Sequence, residues 1–143
     1  MVGALLVPVS TMASVAAMAT MTGSTASAKD MPPAQKFSVT MTDIAHSVKT
    51  ITAKKGVPVT FTFVNKGRVV HEAVVGTRAH RRARQGNGGN GGMVMTDQPT
   101  AIALQPGVHK RLNYTFARAG KYEVACHTPG HYSTGMKIDV VVC

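Results

Sequence analysis

The segment "ACHTPGHYSTGMKID", residues 125–139, combines side chains that bind metal ions in proteins. Its sulfur and imidazole groups belong to Cys126, His127, His131 and Met136. A proline and two glycines stand between Cys126 and Met136. These residue types form turns, so we expect a compact loop with the two sulfur residues at its ends. Such a loop directs a thiolate, an imidazole and a thioether towards one point.

Strand alternation places both sulfur residues on the inward side of a sheet. In "KYEVAC" (121–126), Cys126 shares a face with Val124, and in "MKIDVVV" (136–142), Met136 shares a face with aliphatic residues. Side chains two positions apart in a strand point to the same side. Because the apolar side faces the core, Cys126 and Met136 are predicted to face the same interior point.

This set of donors limits the metal. One thiolate with imidazoles and a weak thioether suits copper, for which two histidines and a cysteine form a trigonal set with a long axial methionine. Structural zinc sites use several thiolates or a Cys₂His₂ set. Calcium and magnesium prefer clustered carboxylates, of which the segment offers only Asp139. The copper interpretation requires a second histidine from elsewhere in the chain.

Several histidines are candidates for that position: His46, His71, His80, His109 and His127. His71 stands in the β-branched segment "RVVHEAVVG" (68–76). An unpaired imidazole buried there would be costly, and a metal ion would account for it. The other histidines lie beside turns, in an arginine-rich segment or, for His127, on the strand face opposite Cys126. We therefore select His71.

Short β segments separated by turn signals make up the chain after Lys29. No stretch keeps the apolar spacing of a helix over several turns. The predicted strands are residues 36–43, 47–53, 57–65, 68–76, 108–116, 121–126 and 136–142. This rhythm predicts an all-β domain, an antiparallel β-sandwich or barrel of about seven to eight strands.

Two segments fall outside this pattern. Residues 1–28 carry no charged side chain and end in Ala-Ser-Ala, which predicts a secretory signal peptide, with an uncleaved membrane anchor as the alternative. Residues 77–99 form an arginine- and glycine-rich insertion, too long for a hairpin loop. We predict one domain, residues 29–143, exported to the periplasm or another extracytoplasmic location, with membrane association as an open alternative.

The charge of the chain indicates its class of partner. There are 16 Lys and Arg residues against 6 Asp and Glu, a net charge of +10. A basic surface attracts acidic partner proteins or anionic lipid. Nucleic acid is not an expected partner, because the sequence has no helix-turn-helix, zinc-finger or aromatic-rich RNA-binding pattern.

The pattern Cys126-x4-His131-x4-Met136, preceded by His71, resembles that of the cupredoxin family of blue copper proteins. The similarity runs through residues 36–142 and is closest to the small exported plastocyanin- and azurin-like proteins. It implies a Greek-key β-sandwich with one copper ion per chain, as Cu(I) or Cu(II). His71, Cys126 and His131 would then be the equatorial ligands and Met136 the axial ligand.

The resemblance also implies a function. A type 1 copper protein of this kind carries single electrons between redox partners and is not an enzyme. The expected partner is an acidic cytochrome or oxidase domain, met by the basic surface of a monomer. The alternative function is copper sequestration, delivery or resistance in the periplasm through the same site.

Some features depart from the family pattern or leave alternatives open. Glu72 stands where many cupredoxins carry Asn or Ser, whose side chain forms a hydrogen bond with the cysteine sulfur. We expect Glu72 to pair instead with Lys or Arg at a strand edge. Ala125 stands where multicopper oxidases and copper nitrite reductases carry a histidine, which counts against an enzyme. His127 is expected to be a solvated loop residue. A disulfide between Cys126 and Cys143 is the alternative to a metal site.

Overall fold

The computed structural model describes residues 32–80 and 97–143. Residues 31–143 form one compact unit. The predictions for residues 1–28, and for most of the insertion at 77–99, lie outside the described residues. Within the described ranges, no helix is long and apolar enough to cross a membrane.

The described chain is built from eight β-strands, within the predicted range of about seven to eight. They are β1 (Gln35–Met41), β2 (Thr50–Ala53), β3 (Pro58–Asn65), β4 (His71–Gly76), β5 (Ala101–Leu104), β6 (His109–Thr115), β7 (Gly120–Ala125) and β8 (Lys137–Val142). A short helical turn at residues 78–80 follows β4, and the Thr77 hydroxyl accepts the His80 N–H there at 3.2 Å.

The strands form two sheets, a three-stranded one in the order β1-β3-β6 and a five-stranded one in the order β2-β8-β7-β4-β5. Most neighbours are antiparallel, but β1 with β3 and β2 with β8 are parallel. These parallel pairs arise because the chain crosses from the three-stranded sheet to the five-stranded sheet between β1 and β2, and returns between β2 and β3. Apolar alternation identifies strands but not the direction of their neighbours, so the sequence does not predict these two pairs.

The inward faces of the two sheets meet in an aromatic and aliphatic core. In β3, Val59, Phe61 and Phe63 are fully buried, and the residues between them are partly exposed. The rings of Phe61 and Phe63 stack with their centroids 5.9 Å apart. Burying each large apolar side chain contributes about 1.5–3 kcal/mol, so β3 is a main source of stability for the sandwich.

The sequence pattern misses β5, which spans only Ala101–Leu104. This strand pairs antiparallel with β4 and places Leu104 opposite His71. Such a short segment without clear alternation carries no strand signal of its own. Because β5 and β7 flank β4 on either side, β4 is an interior strand.

The two cysteines are free, and they lie near opposite ends of β8. Cys126 is buried, and its N–H donates to the carbonyl of Met136, the residue before β8. Cys143, the residue after β8, is exposed, and its N–H donates to the carbonyl of Ala53. The alternative of a Cys126–Cys143 disulfide is therefore wrong.

Candidate metal centre

Three of the predicted site residues meet at one end of the sandwich. His71 is the first residue of β4, Cys126 directly follows β7, and His131 lies in the loop before β8. The Cys126 sulfur lies 3.9 Å from Nδ1 of His71 and 3.7 Å from Nδ1 of His131. One potential ligand atom of each residue lies within 4.8 Å of the others.

These separations fit a single metal ion. Metal bonds of about 2.3 Å to sulfur and about 2.0 Å to nitrogen that meet at about 120° put the two atoms about 3.7 Å apart. The observed sulfur–nitrogen distances of 3.7 and 3.9 Å are close to that value. The thiol and both imidazoles therefore stand at ligand distance without rearrangement of the backbone.

Met136 is fully buried and is held beside the cluster by its main chain. Its N–H donates to the His131 carbonyl at 3.1 Å, and its carbonyl accepts the Cys126 N–H at 3.1 Å. Cys126 is also fully buried, which confirms that both sulfur residues face the interior. Met136 is thus positioned to offer a thioether from the core side.

The loop before β8 is ordered by its own hydrogen bonds. The His131 N–H donates to the Thr128 carbonyl at 3.0 Å, and the Thr134 hydroxyl donates to the His131 carbonyl at 2.7 Å. Gly130 and Gly135 have φ angles of 82° and 89°, a region that glycine enters at little cost. These turns fix the position of the His131 ring.

Two polar groups contact the Cys126 sulfur. The main-chain N–H of Glu72 donates to it at 3.4 Å, and the Thr128 hydroxyl lies 3.3 Å from it. The Thr128 hydroxyl also donates to the Val70 carbonyl at 3.0 Å, which links the loop to the start of β4. Because the main chain supplies the bond from residue 72, a glutamate there preserves this contact to the sulfur.

Burial controls the protonation of the cluster. Desolvation raises the pKa of the Cys126 thiol, against smaller opposing effects of the hydrogen bonds from Glu72 and Thr128. The pKa of His71 is lowered, mainly by desolvation and then by the neighbouring His131. Both effects favour the neutral form of the His71 imidazole, which can donate a lone pair. A metal that binds Cys126 must displace a proton.

A buried asparagine and a glycine shape the loop that leads into His71. Asn65 is fully buried, donates to the Leu104 carbonyl at 2.9 Å and accepts the Gly67 N–H at 2.8 Å. A Cβ atom on Gly67 would lie 2.7 Å from both Nε2 of His71 and Oδ1 of Asp43. The Asn-Lys-Gly sequence indicates a turn after β3, but it does not reveal this close approach to His71.

The residues that follow the candidate ligands meet on the opposite face of the five-stranded sheet. They are Glu72, His127, Tyr132 and Lys137. The Tyr132 hydroxyl lies 3.0 and 3.2 Å from the carboxylate oxygens of Glu123, and the Lys137 ammonium lies 3.2 Å from Oε1. Nδ1 of His127 lies 3.9 Å from Oε2 of Glu72, and its ring is nearly parallel to that of Tyr132. Glu123 thus connects β7, the loop and β8.

Two sequence predictions fail on this face. The sequence predicts a solvated His127, yet only 5% of its side chain is exposed. It also predicts Glu72 at a strand edge, yet β4 is an interior strand and Glu72 is fully buried. Both errors have one cause: alternation tells which face a residue occupies, but not whether that face is covered.

The other histidines considered for the site lie outside the cluster. His80 and His109 are exposed. His46 is buried, with its ring centroid 6.4 Å from that of Phe63, and its ring nitrogens have no hydrogen-bond partner among the described residues. The choice of His71 over these three is consistent with the structure.

The fold and the cluster define a cupredoxin with a copper site of the type 1 kind. The family described as copper binding proteins of the plastocyanin/azurin family matches residues 33–143. The chain belongs to this family, and copper is its cofactor.

Proteins called copper-resistant cuproprotein CopI are relatives of this chain. The one from Rubrivivax gelatinosus is 36% identical over 93 residues, which are 65% of this chain and 56% of that protein. The one from Pseudomonas aeruginosa is 27% identical over 131 residues, covering 71% of this chain and 72% of that protein. The chain therefore spans a little over half of the first relative.

The fold also has neighbours among solved structures. Sodium-dithionite-reduced auracyanin from the photosynthetic bacterium Roseiflexus castenholzii matches with a TM-score of 0.64 at 24% identity, over 76% of this chain and 97% of that chain. This similarity supports the cupredoxin fold.

Proposed function

We propose that this chain binds one copper ion through His71, Cys126, His131 and Met136, and that it serves in copper resistance by sequestering the ion. The observation that carries the proposal is the approach of two imidazole nitrogens to the buried Cys126 sulfur, at 3.7 and 3.9 Å. The relatives named copper-resistant cuproprotein support the choice of resistance.

The residues suit both oxidation states of the metal. Bound copper supplies a one-electron couple between Cu(I) and Cu(II). The thiolate and the thioether are soft donors that favour Cu(I), and imidazole also suits Cu(II). The chain holds these donors in one arrangement, and the burial of Cys126 and Met136 keeps water from the sulfur atoms.

The exposure of the donors supports sequestration. His71, Cys126 and Met136 are fully buried, and only His131 is partly exposed. An ion bound there would exchange only when the loop that carries His131 moves. Slow exchange of this kind suits a protein that keeps copper from other reactions.

The second candidate is a one-electron carrier, favoured by the partly exposed His131 and by the auracyanin-like fold. The expected partner in that role is an acidic cytochrome or oxidase domain, attracted by the net charge of +10. In either role the chain is a binding protein without catalytic activity of its own. Both roles assume export, with residues 1–28 as the predicted signal peptide.

The first experiment tests the copper site itself. Addition of Cu(II) to the purified protein should produce an intense visible band from the bond between thiolate and copper. Cys126→Ser should abolish the band, whereas Cys143→Ser, which changes the exposed cysteine at the far end of β8, should leave it unchanged. A colourless copper complex of the unmodified protein would contradict the proposed site.

The second experiment separates the two functions. A strain without the gene should grow less well in high copper, and the Cys126→Ser chain should fail to restore growth where the Cys143→Ser chain succeeds. Fast, salt-sensitive electron exchange with an acidic cytochrome, together with normal growth of the deletion strain in copper, would favour the carrier.

A further inference from the structure

Every carboxylate side chain among residues 32–80 and 97–143 is either buried or close to a cation. Glu72 is fully buried. The ion pairs join Asp43 with Arg68, Asp97 with Lys110, Asp139 with Lys137, and Glu123 with Lys137 and Arg78. The lysine and arginine side chains outside these pairs therefore dominate the electrostatic potential at the described surface.

Five such cations lie at the end of the sandwich opposite the metal centre, and we call this set the basic pole. Its members are Lys36, Lys54, Lys55, Arg118 and Lys121, all exposed. The segments that carry them, residues 32–36, 53–58 and 115–121, contain no Asp or Glu. The charged side chains of the basic pole are thus all of one sign.

Hydrogen bonds show that these segments meet. The Lys54 N–H donates to Oε1 of Gln35 at 2.8 Å, and the Lys55 N–H donates to the Cys143 carbonyl at 2.8 Å. The Gly56 N–H donates at 2.9 Å to a carbonyl in the turn after β6. The start of β1, the β2–β3 turn and the β6–β7 turn therefore form one continuous surface.

The pole lies far from the copper ligands. β7 begins at Gly120, beside the pole, and ends at Ala125, next to Cys126. At about 3.3 Å per residue, the six steps from Gly120 to Cys126 separate the pole from the copper ligands by about 20 Å. A surface bound at the pole would leave His131 pointing away from it.

We propose that the basic pole docks the domain on an anionic lipid surface. Lysines make up all but one of its cations, and lysine is depleted in protein–protein interfaces, where arginine and aromatic residues are enriched. A flexible, hydrated lysine charge suits the diffuse negative potential of lipid headgroups. This composition favours a membrane over an acidic protein as the occupant of the pole.

The test uses residues 31–143, which hold all eight strands and the core. Binding to phosphatidylcholine vesicles with and without phosphatidylglycerol is measured by co-sedimentation. The pole variant carries Lys54→Gln, Lys55→Gln and Lys121→Gln. The matched control carries Lys49→Gln, Lys66→Gln and Arg111→Gln, which are exposed cations outside the pole. Both variants lose the same net charge.

Each cation near an anionic membrane strengthens binding by roughly fivefold, so the pole variant should bind anionic vesicles roughly 100-fold more weakly. The control variant should lose less than about tenfold, and high salt should release all the proteins. Equal losses in the two variants, or equal binding to neutral vesicles, would overturn the proposal. So would pole-dependent binding to soluble poly-glutamate without binding to vesicles. Cys126→Ser should bind vesicles normally, so the result is independent of the proposed copper function.

Discussion

Gly67 lies close to two side-chain groups, and any larger residue at this position would displace them. A Cβ atom at this position would lie 2.7 Å from Nε2 of His71 and from Oδ1 of Asp43. The loop cannot simply move outwards, because the Gly67 N–H is bound to the buried Asn65. Both the ring of His71 and the side chain of Asp43 must therefore shift.

We expect Gly67→Ala to cost about 1–3 kcal/mol of folding free energy, as overpacking does in other cores, and to weaken copper binding. Denaturant unfolding and copper titration would measure the two effects. Gly76→Ala is the matched control, because the atoms nearest to its Cβ would belong to the His80 side chain, with Nδ1 at 2.8 Å. His80 is exposed and can rotate away. Equal effects of the two substitutions would contradict the role of Gly67.

His46 makes stability depend on pH. Desolvation, with smaller effects of Lys49 and His71, lowers the pKa of His46 from 6.5 to about 4. At pH values between these two pKa values, His46 is protonated in the unfolded chain but not in the folded chain. The free energy of unfolding therefore falls as the pH falls below 6.5. For this group alone, the loss between pH 7 and pH 5 is about 2 kcal/mol.

His46→Leu should remove this part of the acid sensitivity. Leucine buries no ring nitrogens that lack a partner, so the variant should be at least as stable as the original chain at pH 7. Unfolding free energies of both copper-free proteins at pH 7 and pH 5 would measure the difference. Identical losses of stability on acidification would contradict the assignment to His46.

Glu123 acts at the level of elements, since it joins β7 to the loop and to β8. Its side chain is 7% exposed and contacts Tyr132 and Lys137. Hydrogen bonds to a charged group contribute about 1.5–3 kcal/mol. The cluster behind the sheet therefore braces the segment that carries His131 and Met136.

We expect Glu123→Gln to destabilise the protein by about 2 kcal/mol, because it removes the charge but keeps an acceptor for Tyr132. Glu123→Ala should cost more and should speed the release of copper. Asp139→Asn is the control, because Asp139 also pairs with Lys137 but is 51% exposed, where such pairs contribute less than about 1 kcal/mol. Unfolding and copper-release rates would measure these effects, and equal effects of Asp139→Asn and Glu123→Gln would contradict the bracing role.

Strand alternation was enough to predict the inward direction of Cys126 and Met136 and the strand that holds His71. This prediction succeeded because Cys126, Met136 and His71 each lie in, or directly beside, a strand with a clear apolar face. It could not predict β5, which is too short to alternate, nor the loop geometry set by Asn65 and Gly67. Those features depend on contacts between segments far apart in sequence.

At the scale of the whole molecule, copper connects segments that are separate in the chain. His71 begins β4, Cys126 directly follows β7, and Met136 leads into β8. These three strands form the centre of the five-stranded sheet. An ion held by all of them binds the folded state and not the unfolded one, so copper should stabilise the entire domain.

Removal of the metal should therefore lower the melting temperature. At a free copper concentration about 100 times the dissociation constant, binding adds about 2.7 kcal/mol of stability, which raises the melting temperature of a domain of this size by roughly 10 °C. Thermal unfolding with Cu(I) under anaerobic conditions, followed by a chelator, would measure the rise and its reversal. Cys126→Ser should lose most of the rise, and Cys143→Ser should keep it. A rise of equal size in both variants would mean that the stabilising copper binds elsewhere, because only the Cys126 thiol lies between the two imidazoles.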